Sequence, residues 1–294
     1  MPETVPCGLC GRTPGATLSD LARFANIEAP FGLCSCPHCG FLYLSPRPTS
    51  TELSDLYASH PYYAAENATR GETRRRFYTA KLARLERWRP ERGRMLVIGC
   101  LEGGYAPALA KGRGWQVEAV ESSPVLAAHA RSLADFPVHV AEGWDLSFLW
   151  GRRFDVVYTH SLEHVAAPRK TLRQCVRLLT PDGLLFVEVP HQLGSLMELL
   201  KRGLFRLAGA RADRWIQRER LMYFHQSYFT PRTLRAMLVA EGFTVLTLRT
   251  YLPGHPLYLH NGMRRWVQEG IHACGALVGR GPCTEVVARL QATP

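Results

Sequence analysis

Long apolar stretches are absent from this 294-residue sequence, and none approaches the ~18–20 residues that a membrane-spanning helix requires. The first ten residues, MPETVPCGLC, do not place an apolar segment after a basic one, which argues against a secretory leader. Internal repeats and low-complexity tracts are also missing, which argues against a repeat architecture. These absences predict a globular, cytoplasmic protein without a membrane span.

Cysteine is scarce over most of the chain, but five of the nine cysteines fall within the first forty residues. A disulfide framework is not expected in a reducing compartment. The clustered cysteines include two C-x-x-C pairs, Cys7 with Cys10 and Cys36 with Cys39, separated by about two dozen residues. Each pair directs two thiolates toward one point, so the two pairs together predict a closed, structural Zn²⁺ site. Cys34 is a further thiol that could replace Cys36 only with altered geometry.

Acidic residues are in the minority, and the net charge is +11. This balance suits an anionic small molecule such as a nucleotide-linked sugar, or a nucleic acid, but a basic surface without a specific role is also compatible with it. A basic insertion at 193–222 is open to two interpretations as well. Its arginines could hold a diphosphate, or they could simply face solvent.

Strands and helices alternate from residue 94 to residue 250, which is typical of parallel βαβ units with helices on both faces of a sheet. The fold class is therefore α/β, with a Rossmann-like sheet and a small N-terminal zinc-binding module. A last strand is expected at Leu257–His260. The predicted parts, in chain order, are a zinc-binding module at 1–63, a basic linker helix at 64–93, a Rossmann-like domain at 94–250 that carries the helical insertion 193–222, and a C-terminal extension at 251–294.

Two segments carry more specific predictions. In the linker helix, an apolar set recurs at three-to-four spacing and is expected to form the buried face: Phe77, Leu82, Leu85 and Trp88. Farther along the chain, residues 179–183 (LTPDG) are expected to form a tight turn that leads into the fifth strand of the sheet.

A nucleotide-binding turn is predicted where the first strand meets the first helix, in MLVIGCLEGGY at 95–105. Gly99 allows a tight turn, and Gly103 with Gly104 lets a ligand approach the backbone. The third glycine spacing of G-x-G-x-x-G is missing, which disfavours a dinucleotide. Glu121 ends the second strand about twenty residues later, where a carboxylate can bind both hydroxyls of an adenosine ribose.

Two patterns, in this order, resemble those of class I S-adenosylmethionine (SAM)-dependent methyltransferases: FDVVYTHSLEHV at 154–165 and LTPDGLLFVEVP at 179–190. The resemblance covers roughly residues 94–249. The N-terminal C-x-x-C pairs, together with YFHQSYF at 223–229, are similar to zinc-bearing members of this family. Some of those members are sugar-nucleotide C-methyltransferases that act on deoxy-ketosugars.

The resemblance implies a SAM site at the carboxyl ends of the strands. Gly99 and Gly103 would lie near the methionine part of SAM. Glu121 would bind the ribose, and His160 would lie beside the methyl group. The full set of implied SAM-binding residues is Gly99, Cys100, Gly103, Glu121, Ser122, Glu142, Trp144 and His160, with the turn from Glu142 to Trp144 near the adenine.

Methyl transfer to an oxygen, or to a carbon beside a ketone, needs a base, and an imidazole can serve near neutral pH. The segment around His225 resembles the one that contributes a catalytic histidine in the sugar C-methyltransferases, so His225 is the predicted base. His160 and His164 are predicted to support it. Tyr63 and Tyr78 are weaker candidates for the acceptor pocket.

These features predict a SAM-dependent methyltransferase that modifies carbon or oxygen of a small molecule, with a nucleotide-linked sugar or saccharide as the favoured acceptor. An RNA methyltransferase that uses the zinc module is a second hypothesis, although the Asn/Asp-Pro-Pro-aromatic tetrad expected for amino-group methylation of bases is absent. A non-catalytic scaffold is a third, because Val97 and Leu101 stand where the family usually has an acid and a glycine.

Overall fold

The structure is a computed structural model, and it describes residues 2–13, 15, 17–27, 29–59, 71–100, 104–214, 225–253 and 263–291. Several predicted features lie outside these residues, namely Leu101, Gly103, Tyr63 and the strand at Leu257–His260. Within the described ranges, no helix combines the length and the apolar composition that crossing a bilayer requires.

Helices and strands alternate through most of the chain. The described helices are α1 (Ser19–Phe24), α2 (Ser50–Ser59), α3 (Gly71–Trp88), α4 (Tyr105–Gly112), α5 (Pro124–Leu133), α6 (Pro168–Leu178), α7 (Leu196–Ala208), α8 (Pro231–Ala240) and α9 (Met263–Leu277). The described strands are β1 (Leu33–Ser35), β2 (Leu42–Leu44), β3 (Arg94–Ile98), β4 (Gln116–Glu121), β5 (Val138–Val140), β6 (Phe154–Thr159), β7 (Leu179–Pro190), β8 (Ser227–Tyr228), β9 (Phe243–Tyr251) and β10 (Cys283–Leu290).

The chain folds into two compact units, each assembled from three stretches of sequence. Unit 1 comprises Met1–Leu53, Val189–Met237 and Leu248–Glu285. Unit 2 comprises Ser54–Glu188, Leu238–Thr247 and Val286–Pro294. The domain boundaries expected from the sequence, after residues 63, 93 and 250, remain predictions.

A seven-stranded sheet runs in the order β5-β4-β3-β6-β7-β10-β9. Its first five strands pair in parallel, and Val97 of β3, for example, lies opposite Ala119 of β4 and Tyr158 of β6. This arrangement confirms the predicted Rossmann-like α/β fold. The residues that end β3, β4, β6 and β7 therefore share one edge of the sheet, where ligands bind in open parallel sheets.

β10 was not anticipated from the sequence. It lies between β7 and β9 in the sheet, and every residue from Cys283 to Ala288 is buried. A strand that is buried on both faces lacks the alternation of polar and apolar residues by which strands are identified. Two polar residues inside the run, Thr284 and Glu285, make the pattern harder still to recognise.

β7 begins at Leu179, earlier than predicted, so the expected tight turn at 179–183 lies inside the strand, where a Cβ on Gly183 would lie 2.9 Å from the carbonyl oxygen of Thr180. Leu179 lies opposite Phe154, and Leu184 lies opposite Val156. More residues lie between Leu179 and Leu184 on β7 than between Phe154 and Val156 on β6. The extra residues form an irregularity inside β7. The Pro-Asp-Gly sequence that suggests a turn is accommodated within the strand.

α3 buries charged as well as apolar side chains. Leu82 and Leu85 are buried as expected, whereas Trp88 is 44% exposed, so its predicted burial is wrong. The buried face instead includes Tyr78 and Lys81. Apolar periodicity identified the helix but missed the lysine, because charged residues are expected on the solvent face.

Unit 1 contains a three-stranded antiparallel sheet in the order β1-β2-β8. β2 and β8 pair through Leu42 with Tyr228 and through Tyr43 with Ser227. The cluster that packs on this sheet combines residues from distant parts of the chain, namely Ala22, Ala25, Ile27, Leu33, Leu44, Leu193 and Tyr228. The N-terminal cysteine-rich segment thus shares a core with residues that follow the Rossmann-like strands.

Gly104 lets α4 pack closely against α5. Its φ of 81° lies in the left-handed region, and a Cβ there would lie 2.5 Å from Cβ of Ala130. We expect Gly104→Ala to lower the free energy of unfolding by about 2–4 kcal/mol, because both the backbone conformation and the overpacking are unfavourable. Urea unfolding measures the loss, with Gly112→Ala, which meets nothing within 4 Å, as the control. Equal midpoints for the two variants would contradict this close contact.

Candidate metal centre and active site

The four predicted cysteine ligands come together in unit 1. Sγ of Cys7 lies 3.6 Å from Sγ of Cys39, and Sγ of Cys10 lies 3.5 Å from Sγ of Cys36. The four sulfurs all lie within 4.8 Å of one another. A disulfide needs a separation of about 2.05 Å, whereas a tetrahedral ion with bonds of about 2.3 Å has sulfur–sulfur edges of about 3.8 Å. These separations therefore suit four ligands around one Zn²⁺ ion.

The two C-x-x-C pairs share one local geometry. In each pair the glycine after the second cysteine donates its amide to the carbonyl of the first, Gly11 to Cys7 at 2.8 Å and Gly40 to Cys36 at 2.9 Å. Both glycines have a positive φ, 74° and 73°, which residues with a Cβ rarely adopt. The repeated turn explains why each pair directs its thiols toward the same point.

The thiols of unit 1 differ in how readily they ionise. Burial opposes the ionisation of Cys36, but backbone amides, chiefly that of Cys39, lower its pKa to about 7. Burial raises the pKa of Cys7. Cys34 stands outside the cluster, since its thiol donates to the carbonyl of Ser45 at 3.1 Å. Cys34 therefore does not replace Cys36 in this arrangement.

The turn after β3 is held by a carboxylate at the end of β4. The amide of Gly99, which has a φ of 83°, donates to the carbonyl of Val120 at 2.8 Å. The amide of Cys100 donates to Oε2 of Glu121 at 2.7 Å, and the amide of Ser123 donates to Oε1 at 2.9 Å. Glu121 thereby joins the ends of the two strands at which a nucleoside was expected.

Glu121 retains hydrogen-bonding capacity beyond these two contacts. A carboxylate offers about four acceptor positions, and the amides of Cys100 and Ser123, with a further backbone contact from Ser122, leave part of that capacity unused. Burial raises the pKa of Glu121, while the amides of Ser123 and Cys100 oppose that rise. Cys100 contributes its backbone to this site, because its thiol is buried and burial raises the pKa of that thiol. Ser122 is half-buried beside Glu121.

The turn after β5 lies beside Glu121. The amide of Ala141 donates to the carbonyl of Glu121 at 3.2 Å, and the amide of Asp145 donates to the carbonyl of Glu142 at 3.0 Å. Glu142 and Trp144 are half-buried, and burial raises the pKa of Glu142. The turn expected near the adenine therefore lies at the same edge of the sheet as the residue expected at the ribose.

His160 follows β6 and belongs to a group of charged residues in unit 2. Its Nε2 lies 3.6 Å from Oε1 of Glu188 on β7, and the same oxygen contacts Nζ of Lys81 on α3. Glu188 and Lys81 are 0% and 2% exposed. Glu163 is buried too, and burial, followed by the charge of Glu188, raises its pKa well above that of an ordinary glutamate. Burial of Glu163 therefore opposes ionisation of its carboxyl group.

Neither Lys81 nor Glu188 was predicted from the sequence as a site residue. One signal was present: Glu188 interrupts the apolar run LLFVEV, where a strand buried on both faces has no solvent for a charge. No comparable signal marks Lys81, which is one of several basic residues in α3.

The other two predicted histidines differ in their surroundings. In unit 1, Nδ1 of His225 lies 2.7 Å from Oε1 of Gln192. An amide oxygen can only accept, so this contact favours the tautomer that carries a proton on Nδ1. In unit 2, the amide of His164 donates to the carbonyl of Ser161 at 3.0 Å, and Nε2 of His164 lies 3.8 Å from Oε1 of Glu163.

Comparison with known proteins gives a family match and several structural likenesses. The model of the methyltransferase domain family matches residues 70–248. The ubiquinone biosynthesis O-methyltransferase of Caulobacter vibrioides is 30% identical over 153 residues, which cover 50% of this chain and 58% of that protein. The chain thus spans less than two thirds of the length of this relative.

Two solved structures are similar in fold. The SAM-dependent methyltransferase of Archaeoglobus fulgidus is 20% identical, with a TM-score of 0.54 over 78% of this chain and 100% of that one. The cyclase SpnF is 18% identical, with a TM-score of 0.54 over 84% of this chain and 99% of that one. At these identities the likeness concerns the fold alone.

The sheet order and the glycine turn held by Glu121 agree with the family match. That match extends over more than half of the chain. The expectation of a methyltransferase is confirmed at this level, and this chain belongs to the methyltransferase domain family.

Proposed function

We propose that the protein transfers the methyl group of SAM to an oxygen or a carbon of a small molecule, with a nucleotide-linked sugar or saccharide as the favoured acceptor. The observation that carries the proposal is the Glu121 carboxylate, which accepts the amides of Cys100 and Ser123 and retains acceptor positions for a ribose.

The residues of this edge fit the adenosyl part of SAM. Glu121 supplies a carboxylate for the ribose hydroxyls, Gly99 adopts a positive φ at the start of the turn, and Trp144 is a half-buried aromatic ring in the turn after β5. Val97, which stands where the family usually has an acid, lies in the apolar core of unit 2. The Glu121 carboxylate, which is proposed to bind the ribose, and the backbone of the turn after β3 therefore contribute most of the proposed cofactor binding. SAM supplies the methyl group as an electrophile, and the protein aligns the acceptor with it.

Removal of a proton from the acceptor is assigned to histidine. His225 presents Nε2 with a lone pair because its Nδ1 faces Gln192, and His160 has the carboxylate of Glu188 beside it. Both arrangements leave an imidazole nitrogen able to accept a proton near neutral pH. His164 is proposed to support them.

The four-cysteine site is proposed to hold a structural Zn²⁺ ion. Four thiolates leave no coordination position for a substrate or water, so the ion would stabilise the fold of unit 1 and take no part in the reaction. Metal binding displaces the protons of the thiols, which offsets the effect of burial on Cys7.

Two observations bear on the acceptor. The net charge of +11 favours an anionic molecule such as a nucleotide-linked sugar. The relative from Caulobacter vibrioides is named as an O-methyltransferase of ubiquinone biosynthesis, which makes a hydroxylated aromatic acceptor the second candidate. The basic insertion has less positive charge available for an anionic acceptor than its composition suggests, because Lys201 is buried and paired with Glu198 at 2.7 Å.

Incubation with SAM carrying an isotopically labelled methyl group tests this proposal. The acceptor panel contains nucleotide-linked deoxy-ketosugars, free saccharides, hydroxylated aromatic compounds and RNA, and mass spectrometry identifies the labelled product. Label in a sugar supports the favoured acceptor. Label in an aromatic compound or in RNA would show that the acceptor belongs to that class and is not a sugar. Calorimetric titration with S-adenosylhomocysteine is the control, and failure to bind it with the fold intact would contradict methyl transfer itself.

A further inference from the structure

We propose that Glu188, paired with Lys81, is a positioning residue for His160, and that His160, rather than the predicted His225, receives the acceptor's proton. This inference rests on the methyl transfer proposed above. It assigns a purpose to two buried charged residues that neither the family match nor the sequence pattern explains.

The contacts converge on one oxygen. Oε1 of Glu188 contacts Nζ of Lys81 and lies 3.6 Å from Nε2 of His160. The latter is an ion-pair distance, longer than a close hydrogen bond, so the carboxylate acts on the ring mainly through its charge. Lys81 is itself restrained, since its Nζ lies 3.5 Å from the centre of the Phe77 ring. The lysine therefore fixes the carboxylate, and the carboxylate faces the imidazole.

The negative charge of Glu188 favours a protonated His160. Lys81 and Glu188 carry opposite charges, and burial, followed by the charge of Glu188, raises the pKa of the buried Glu163 carboxyl. A proton arriving on His160 adds one positive charge, and the Glu188 carboxylate lies at an ion-pair distance of 3.6 Å from its Nε2. A buried carboxylate stabilises an imidazolium more strongly than water-exposed charges do.

The position in the sheet favours a role in the reaction over one in stability alone. Glu188 and His160 both lie at the edge where β6 and β7 end, which is the ligand-binding edge of a parallel sheet. Buried ion pairs are poor stabilisers, because apolar residues of the same volume usually serve the fold equally well. Among the described residues, Oε2 of Glu188 is also buried without a hydrogen-bond partner. A buried pair that has an unsatisfied acceptor at the ligand-binding edge of the sheet is therefore expected to serve the site there.

The proton step follows from this geometry. The O–H or C–H bond of the acceptor breaks, its electron pair stays on the oxygen or carbon, and the proton bonds to the imidazole ring of His160. The ring becomes an imidazolium whose Nε2–H faces Glu188. The proton later passes to solvent, so His160 returns to its neutral form.

The decisive variant removes both charges together. The double substitution Lys81→Met with Glu188→Gln avoids stranding a buried lysine, which is the expected reason for Glu188→Gln alone to unfold. We expect kcat to fall about 100-fold. Affinity for S-adenosylhomocysteine and KM for the acceptor are expected to stay within about threefold of the wild type, because Glu188 lies on β7, whereas the turns at Glu121 and Glu142 follow β4 and β5 on the other side of β3 and β6.

A matched control is available in unit 1. Lys201 and Glu198 form a second buried lysine–glutamate pair, at 2.7 Å, and its double variant Lys201→Met with Glu198→Gln removes the same charges. We expect this control to retain kcat. A comparable fall in both double variants, or none in either, would overturn the assignment of Glu188 and Lys81 while leaving the proposed function in place.

A second readout does not depend on turnover. In protein labelled with ¹⁵N-histidine, the His160 signal is identified by its loss in His160→Gln, and its titration is followed by NMR. Removing the pair is expected to lower the midpoint by about one pH unit, since a nearby carboxylate favours the imidazolium. An unchanged midpoint would overturn the inference whether or not an acceptor has been found. Absence of S-adenosylhomocysteine binding by the wild type would instead contradict the proposed function.

Discussion

Cys36→Ser is expected to abolish stoichiometric zinc binding and to unfold unit 1. The sulfur of Cys36 lies 3.5 Å from that of Cys10, and the sulfur of Cys7 lies 3.6 Å from that of Cys39. Removal of one of these four ligands leaves three thiols around an ion that prefers four. Binding of a structural Zn²⁺ contributes on the order of 10 kcal/mol to the folding of small zinc domains. Such a loss is comparable with the whole stability of a typical domain, about 5–15 kcal/mol.

Elemental analysis and thermal unfolding together measure this effect. The wild type is expected to hold one zinc per chain and to lose its cooperative transition when a strong chelator is added. Cys274→Ser, at an exposed cysteine of unit 1, is the control that should change neither quantity. Cys34→Ser should retain the metal, because Cys34 contacts Ser45 and stands apart from the four sulfurs. Full zinc content in Cys36→Ser would show that the ion binds elsewhere.

Glu121→Ala is expected to weaken the binding of S-adenosylhomocysteine at least tenfold. The substitution removes the acceptors proposed for the ribose and also frees the amides of Cys100 and Ser123, which hold the turn. Loss of a charge-assisted hydrogen bond costs about 1.5–3 kcal/mol, and each 1.4 kcal/mol is tenfold in affinity. Glu121→Gln keeps the size of the side chain but only one acceptor oxygen, so an intermediate loss is expected.

Calorimetry measures these affinities, and circular dichroism shows whether each variant is folded. Glu118→Gln provides a control on the same strand, because Glu118 pairs with Arg94 and with Arg152, away from the turn. Its affinity for S-adenosylhomocysteine should match that of the wild type. An unchanged affinity in Glu121→Ala would mean that the ribose is held by another group.

The same carboxylate predicts how binding depends on pH. Burial raises the pKa of Glu121 above the ordinary glutamate value, so its proton is gained at a higher pH than in an exposed glutamate. The ionised form accepts the two amides and the ribose hydroxyls. Affinity for S-adenosylhomocysteine should therefore decline as the pH falls through this raised pKa, and Glu121→Gln should abolish that dependence.

The features that the sequence predicts well are those carried by local patterns. Alternating apolar strands and helices predicted the parallel sheet, and a C-x-x-C pair followed by glycine describes a local turn, so Cys7 and Cys36 were identified with their partners. Glu121 was found because its distance from the glycine turn is a property of one βαβ unit.

The features that the sequence did not predict depend on contacts between distant segments. Lys81 and Glu188 are 107 residues apart, and neither carries a local pattern that would pair them. Gln192, which sets the tautomer of His225, is likewise remote from it in sequence. β10 was not predicted, because a strand buried on both faces lacks the alternation of polar and apolar residues that identifies a half-exposed strand.

The interleaving of the two units limits how the cysteine-rich segment can be exchanged. The chain passes from one unit to the other after Leu53, Glu188, Met237, Thr247 and Glu285, so no single cut releases either unit. β2 of the N-terminal segment needs β8, which lies far downstream. A chimaera that takes only the first 53 residues from a relative would lack a matched pairing strand. Recombination between family members should therefore exchange the cysteine-rich N-terminal segment and the β8 segment together. We expect the cysteine-rich segment and the residues around His225 to be inherited from the same parent.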